Sequence, residues 1–239
     1  MEGELRQIWV YLAEQPLLGL TVTLVAYQAG QWVYRKAGMS PIANPVLLAV
    51  VALVALLWLT GTSYETYFEG AQFVHFLLGP ATVALAVPLY NNLKHMRRAA
   101  LPLTVALVAG TVTAASTAVG IAWLLGATER TLASLAPKSV TTPIAMGISE
   151  QIGGLPSLTA VFVILTGILG AVLTTWTLDA LRIRDWRARG FAIGVAAHGI
   201  GTARALQLSE VAGAFASLAM GLNAVATAVL LPLLIRLLW

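Results

Sequence analysis

Long apolar runs separated by short polar stretches dominate this chain. A helix crosses the hydrocarbon core of a bilayer with about 17–25 mostly apolar residues, and the runs lack the strict alternation of a barrel strand. We therefore expect an all-α integral membrane protein with about six transmembrane helices. The first predicted span begins at residue 8 or 16 and ends at 33. The other five cover 46–59, 71–92, 99–125, 158–178 and 211–234.

Two further apolar segments, 131–154 and 190–209, carry polar groups and helix breakers in their middle. In hydrocarbon, irregular backbone persists only where it is buried in protein or lines a wet cavity, and a charge at that depth usually marks a functional pathway. We expect the two segments to meet near the midplane and to form a site for a small anion. Their polar residues and breakers are Pro137, Lys138, Ser139, Thr141, Thr142 and Pro143 in the first segment, and His198, Gly199, Gly201, Thr202 and Arg204 in the second.

The composition agrees with a membrane protein. Hydrophobic residues make up 59% of the 239 positions and charged residues 10%, against about 25% charged residues in soluble domains. The net charge of +4 comes from short loops, so it indicates topology and not nucleic-acid binding. The N-terminal stretch has no basic region before its apolar run and is not typical of a cleaved signal peptide. We expect 1–239 to form a single polytopic membrane domain.

The distribution of charge predicts the topology. Cytoplasmic loops are enriched in Lys and Arg, which places loops 35–41, 93–98 and 182–189 inside and the acidic loop 61–70 outside. The span 99–125 then ends outside, whereas the loop 182–189 is inside. The chain must therefore cross the membrane an odd number of times between 126 and 182, although two apolar segments lie there. We therefore predict that 131–154 is a re-entrant hairpin entered from outside and that 190–209 is one entered from the cytoplasm. The alternative is that both segments cross fully as broken helices.

The order hairpin–span, repeated with opposite orientation, is typical of transporters built from inverted repeats, whose site lies at the repeat interface. On this interpretation residues 99–239 form the transport core, and residues 1–98 form a scaffold that serves oligomerisation. Small residues crowd the span over 99–125 and favour close helix packing.

Three stretches of sequence resemble the LrgB family, which includes the bacterial antiholin-like LrgB and holin-like CidB proteins. They are LLGPATVALAVPLYNN at 77–92, PKSVTTPIAMGISEQIGG at 137–154 and GVAAHGIGTARALQ at 194–207. The chain is also similar to the C-terminal half of the plastidial glycolate/glycerate translocator, and the resemblance runs from about Pro41 to the C-terminus. It implies two functions, transport of monocarboxylates such as pyruvate, glycolate or glycerate, or control of murein hydrolase export and lysis. It also implies a small membrane partner of the LrgA/CidA type.

Lys138 is the first candidate for binding a carboxylate. An ammonium flanked by the hydroxyls of Ser139, Thr141 and Thr142 supplies charge and donors, and a half-helix starting after Pro143 would add its free N–H groups. The alternative is a lysine that extends to the lipid headgroups.

The second segment offers a guanidinium and an imidazole. Arg204 can hold a carboxylate with two parallel hydrogen bonds, or it forms a structural ion pair with Glu210 or Glu150. His198 could donate to substrate or carry a proton, or it is a hydrogen-bonded core residue. Gly199 and Gly201 permit a turn or close approach, and Thr202 lies beside them.

Other polar residues are candidates for completing the site. Glu150 could carry a coupling proton if burial raised its pKa, or it lies at the outer surface. Asn223 lies in the middle of a span and should face protein. Asn91 and Asn92 are expected to cap a helix, and Thr82 lies beside a Gly-Pro break.

The sequence favours a carrier over an enzyme or a pump. No cysteine, no histidine cluster and no phosphate-binding Gly-Lys-Ser/Thr loop is present, so we expect no metal site, no cofactor and no catalysis. The first hypothesis is a carrier of small carboxylates by alternating access, with a dimeric scaffold or an LrgA/CidA-like partner. The second is a pore, or a regulator of a pore, that influences autolysis.

Overall fold

The computed structural model describes residues 16–40, 43–77, 80, 90 and 93–238, and in that part of the chain every regular element is a helix. The residues form two compact units, 1–84 and 85–239, whereas the sequence divides the chain at 98/99. The helices, renumbered in chain order, are α1 (Pro16–Lys36), α2 (Pro45–Thr60), α3 (Tyr64–Phe76), α4 (Leu93–Arg98), α5 (Ala100–Leu124), α6 (Glu129–Leu135), α7 (Thr142–Gln151), α8 (Pro156–Ala180), α9 (Trp186–Leu208) and α10 (Glu210–Leu238).

Three described helices are long and apolar enough to cross a membrane by length and composition. They are α5, α8 and the portion Glu210–Leu233 of α10, and α2 is a shorter apolar helix. The expected class, an all-helical membrane protein, is confirmed at this level. Much of the predicted span 71–92, with Thr82, Asn91 and Asn92, lies outside the described residues.

The first unit contains α1, α2 and α3. Asn44 begins α2 by accepting hydrogen bonds from the N–H groups of Val46 and Leu47, and Gly61 ends it in the left-handed conformation at φ 66°, as expected of helix caps. α1 packs on α3, where the hydroxyls of Thr23 and Tyr67 lie 2.7 Å apart.

The predicted loop over 61–70 is wrong for most of its length, because α3 begins at Tyr64. The hydroxyl of Ser63 accepts a hydrogen bond from the N–H of Thr66 at 3.2 Å and so caps the new helix. The two glutamates that indicated a loop instead lie in a helix of mixed composition.

The first hairpin of the second unit consists of α6, a turn over 136–141, and α7. Its base is held by buried hydroxyls. The Ser134 hydroxyl accepts from the N–H of Leu155 at 2.7 Å, and the Thr159 hydroxyl donates to the Ser134 carbonyl at 2.9 Å and contacts the Ser149 hydroxyl at 2.7 Å. This hairpin corresponds to the predicted segment 131–154.

The second hairpin is α9, whose dihedral angles leave the helical region at Ala197 (φ −127°, ψ 16°) and His198 (φ 40°, ψ −134°). A Cβ built on Gly201 would lie 2.9 Å from Ile193 Cγ2 and 3.3 Å from the Ile193 carbonyl oxygen. Residues eight apart in a continuous helix are separated by about 12 Å along the axis. The chain therefore reverses direction at the break and forms two limbs, 186–196 and 199–208.

Contacts with α10 show the same reversal. Gly190 packs on Ala212 and Gly194 on Ala216, so the first limb runs in the direction of α10. In the second limb Thr202 contacts Met220 at 3.9 Å, and the backbone of Leu206 would lie 3.0 Å from a Cβ built on Gly213. This limb runs against α10, as a hairpin requires.

The helix α8 connects the two hairpins and shows that they approach from opposite ends. The base of the first hairpin is bonded to its beginning, at Leu155 and Thr159. The base of the second hairpin is bonded to its end, where Arg189 donates to Asp179 Oδ1 at 2.6 Å. Both hairpins extend from these positions toward the middle of α8.

Candidate functional site

The tips of the two hairpins meet at Val163, in the first half of α8. The side chain of Val163 is fully buried in an apolar cluster that includes Ala136 and Val140 of the first hairpin. Its carbonyl oxygen lies 2.9 Å from Nε2 of His198, the tip residue of the second hairpin. Lys138 lies in the same first tip, two residues before Val140. The structure thus brings the tip that carries Lys138 and the tip that carries His198 to the same residue of α8.

His198 has a strained backbone. A φ of 40° with a ψ of −134° is a conformation that glycine adopts far more readily than a residue with a Cβ. The sequence indicates flexibility at Gly199 and Gly201, yet the positive φ falls on the histidine. The imidazole is 4% exposed and lies against Gly167, where an added Cβ would come within 2.7 Å of His198 Cε1. Strain that is retained at a buried polar residue points to a role for its side chain.

The first tip carries the predicted hydroxyls beside an ammonium. Lys138 is half-buried and its Nζ donates to the Ser139 hydroxyl at 3.2 Å. Thr141 and Thr142 are half-buried. α7 starts at Thr142, earlier than the expected start after Pro143, and the Thr141 side chain does not cap it. The positive end of α7 therefore lies at the tip.

The second tip repeats this arrangement. The second limb starts at Gly199, directly after the break, so it too directs its N-terminal end to the tip. The Thr202 hydroxyl donates to the His198 carbonyl at 2.7 Å, which stabilises the reversed backbone. Gly201 allows the close contact between the limbs.

Arg204 and Glu150 lie further from the tips. Arg204 is buried in the second limb, and its Nη1 donates to Gln207 Oε1 at 3.4 Å, which directs this bond away from His198. Glu150 is exposed on α7, one residue before the end of that helix. Of its two expected positions, the surface position matches the structure.

Asn223 contacts both tips at once. Its amide nitrogen donates to the carbonyl oxygens of Ser139 and Val195, each at 3.1 Å. Its oxygen accepts from the Thr111 hydroxyl at 2.6 Å and lies 3.5 Å from the Thr227 hydroxyl. An amide has two donor hydrogens and two acceptor positions, so the protein itself fills all four in this conformation.

Sequence reasoning missed three contributors to the site. Thr111, Val163 and Gly167 lie in apolar spans and supply a hydroxyl, a carbonyl and a close approach. Only Thr111 gave a signal in the sequence, because its hydroxyl lies within the run of small residues in α5. A narrow cleft beside the first tip is lined in part by Thr111, Ser139, Asn223 and Thr227. Among the described residues, no three His, Asp or Glu side chains come close enough to hold a metal ion.

The entrance to the second hairpin is polar. Asp185 caps α9 by accepting from the N–H of Arg187 at 2.8 Å, and its carboxylate pairs with the Arg187 guanidinium at 2.6 Å. The hydrogen bond from the Arg187 side chain is the largest cause that lowers the pKa of Asp185 to about 2. The loop is thereby fixed where the second hairpin begins.

Comparison with known proteins gives one consistent result. The profile of the LrgB-like family matches residues 23–237. YwbG of Bacillus subtilis is 39% identical over 92% of this chain and 97% of its own length. Holin-like protein CidB of Staphylococcus epidermidis is 32% identical over 93% of this chain and 97% of its own length. Antiholin-like protein LrgB of Bacillus mycoides is 30% identical over 91% of this chain and 95% of its own length. No solved structure matches.

Proposed function

The chain belongs to the LrgB-like family, and from this and the joined hairpin tips we propose that it is a secondary carrier of small monocarboxylates. The observation that carries the proposal is the meeting of two opposed hairpins at Val163, one of which carries Lys138 at its tip and the other the buried His198. A simple pore has no need of two broken helices whose tips are tied together.

The chemistry of the tips suits a carboxylate. Lys138 provides a positive charge, and the hydroxyls of Ser139, Thr141 and Thr142 provide donors. The half-helices that begin at Thr142 and Gly199 add the positive ends of their dipoles, which favour anions. An acid of the size of pyruvate, glycolate or glycerate offers one carboxylate for these groups and an oxygen for His198 or Thr202.

The proposed setting is a bacterial cytoplasmic membrane. In this proposal the chain crosses the membrane six times and forms two re-entrant hairpins, with the loops 35–41, 93–98 and 182–189 in the cytoplasm. The two hairpin–helix pairs, α6–α7 with α8 and α9 with α10, act as an inverted repeat that opens the site alternately to each side. The scaffold over 1–98 forms a dimer or binds an LrgA/CidA-like protein. His198 carries a coupling proton, and the protein is not an enzyme.

Replacement of Lys138 tests this proposal. In proteoliposomes the unaltered chain should show saturable pyruvate or glycolate uptake that supports counterflow, and Lys138→Ala should reduce it at least about tenfold, because loss of one charged partner costs roughly 2–5 kcal/mol. Arg204→Ala, alone and with Lys138→Ala, measures the contribution of the second cation. Arg130→Ala is the matched control, since Arg130 is an exposed cation of the same hairpin. Normal uptake by the Lys138→Ala/Arg204→Ala double variant would refute the site.

The names of the relatives support a second function more directly than the first. Holin-like CidB and antiholin-like LrgB are 32% and 30% identical to this chain, and their names indicate a pore, or a regulator of a pore, that acts in lysis. Planar-bilayer recordings separate the two. A pore gives ionic conductance that does not saturate with carboxylate, whereas a carrier gives saturable flux without single-channel steps.

A further inference from the structure

Asn223 contacts each hairpin at the point where its helix is interrupted. Ser139 lies in the turn between α6 and α7, and Val195 lies in the last turn before the break at His198. Carbonyl groups at such positions have lost their regular helical partners. The same NH₂ group serves both, so the two carbonyl oxygens lie within twice 3.1 Å of each other.

The orientation of this amide is fixed from a third element. Thr111 of α5 donates to Asn223 Oδ1 at 2.6 Å, across 112 positions of sequence, and so directs the NH₂ group to the hairpins. Asn223 is 1% exposed and Thr111 is 8% exposed. In these surroundings a carbonyl that loses its donor has no water to replace it.

We propose that Asn223 is a positioning residue that clasps the two hairpin tips together, and that the tips part only when one of its carbonyl bonds is given up. The identity of the ligand that enters between the parted tips rests on the proposed carrier function. The clasp, which is the pair of hydrogen bonds from Asn223 to the two tips, does not depend on that function. With all four hydrogen-bonding positions of the amide filled by protein, Asn223 binds no ligand in the closed arrangement.

The cysteine-free sequence allows the clasp to be tested with one reporter on each hairpin. Ser139→Cys reports on the first tip and Thr202→Cys on the second, and both native side chains are buried, at 8% and 1% exposure. Each is placed in the unaltered chain and in Asn223→Asp, which keeps the shape of the side chain but replaces the NH₂ donors with an acceptor oxygen. The rate of maleimide labelling is then measured in proteoliposomes.

Asn223→Asp should speed labelling at both reporters by about tenfold or more, because both tips lose the same donor and open locally. Ser217→Ala is the matched control. It removes a buried hydroxyl of the same helix that donates to Gly213 within α10, and both labelling rates should stay unchanged. Unchanged rates in Asn223→Asp, or a rise at one reporter alone, would overturn the clasp.

If Asn223→Asp does not assemble, Thr111→Val replaces it. This variant leaves the amide in place but frees its orientation, and it should raise both labelling rates by a smaller factor; equal rates would refute the proposal. The experiment can refute the clasp and the carrier function independently of each other. Faster labelling without protection by any carboxylate would retain the clasp and reject the carrier, whereas protection by a carboxylate with unchanged labelling would do the reverse.

Discussion

At the scale of single residues, the backbone of His198 links stability to function. A residue with a Cβ in this conformation costs roughly 1–3 kcal/mol, which glycine avoids. The protein nevertheless has an imidazole here, bonded to the Val163 carbonyl at 2.9 Å. Selection for stability alone would favour glycine at this position, so the strain indicates that the imidazole is needed.

Two substitutions at His198 separate the strain from the side chain. Both His198→Gly and His198→Ala remove the imidazole, but only glycine relieves the positive φ. We expect the His198→Gly variant to be about 1 kcal/mol more stable than His198→Ala, and both to lose carboxylate transport. Thermal unfolding in detergent measures the order of stability. The opposite order would show that the backbone at this tip is not strained.

Acid should destabilise the protein in part through Asp185. Because the pKa of Asp185 is lowered to about 2 from an ordinary value near 4, its charge stabilises the fold above about pH 4, and this contribution disappears as the pH falls toward 2. Asp185→Asn keeps a good N-cap and removes the titration. The melting temperature of this variant should fall less steeply between pH 4 and 2. Parallel curves for the two proteins would contradict the assignment.

Sequence reasoning identified the residue types of the site but not its connections. A lysine, hydroxyls and a histidine in apolar segments stand out because they are costly there. The contacts of Thr111 and of the Val163 carbonyl depend on which helices become neighbours, and no local pattern encodes that. The break was expected at a glycine because glycine tolerates positive φ, and the structure places it on His198.

At the scale of elements, the first hairpin owes its geometry to its base. Gly153 and Gly154 follow α7, and they meet different requirements. Gly153 has a φ of 81° and open space around it, whereas a Cβ on Gly154 would contact the Ser149 hydroxyl and lie 2.8 Å from the Ser134 nitrogen. The base therefore needs one glycine for conformation and one for space.

Alanine substitutions distinguish these two needs. Gly153→Ala should cost roughly 1–2 kcal/mol from the left-handed conformation alone. Gly154→Ala should cost more, because the contact with the Ser134 backbone cannot be relieved by a rotamer change, and overpacking costs typically 1–3 kcal/mol or more. Gly221→Ala on α10, with no atom within 4 Å, is the neutral control. Melting temperatures in detergent give the order, and equal losses at 153 and 154 would be inconsistent with a crowded base.

Both hairpins were predictable as elements because their polar breaks interrupt otherwise apolar segments. Their bounds differ by a few residues, 129–151 and 186–208 against the predicted 131–154 and 190–209. The first half of the helix α3, over 64–70, was not predicted, since two glutamates in a short stretch between spans resemble a loop. Its packing on α1 supports a helix that composition alone does not.

At the scale of the whole molecule, topology is the feature to test next. The six proposed crossings predict that residue 186 faces the cytoplasm and residue 125 the outside. In right-side-out vesicles an impermeant maleimide should label Leu125→Cys, whose native side chain is 82% exposed, and should leave Trp186→Cys unlabelled until the membrane is opened. Inverted vesicles should give the opposite result. Labelling of both from one side would favour the alternative in which both segments cross.

The length of the helix α8 sets the distance between the anchors of the two hairpins. The helix anchors one hairpin at Thr159 and the other at Asp179, so the span of a single helix sets how far apart the two tips come to rest. Lengthening its middle by one turn would move the anchors about 5.4 Å further apart and leave each hairpin internally intact. Because the Asn223 amide bonds both tips at 3.1 Å, such an insertion would pull against these two bonds, so the length of α8 and the reach of one side chain have to agree.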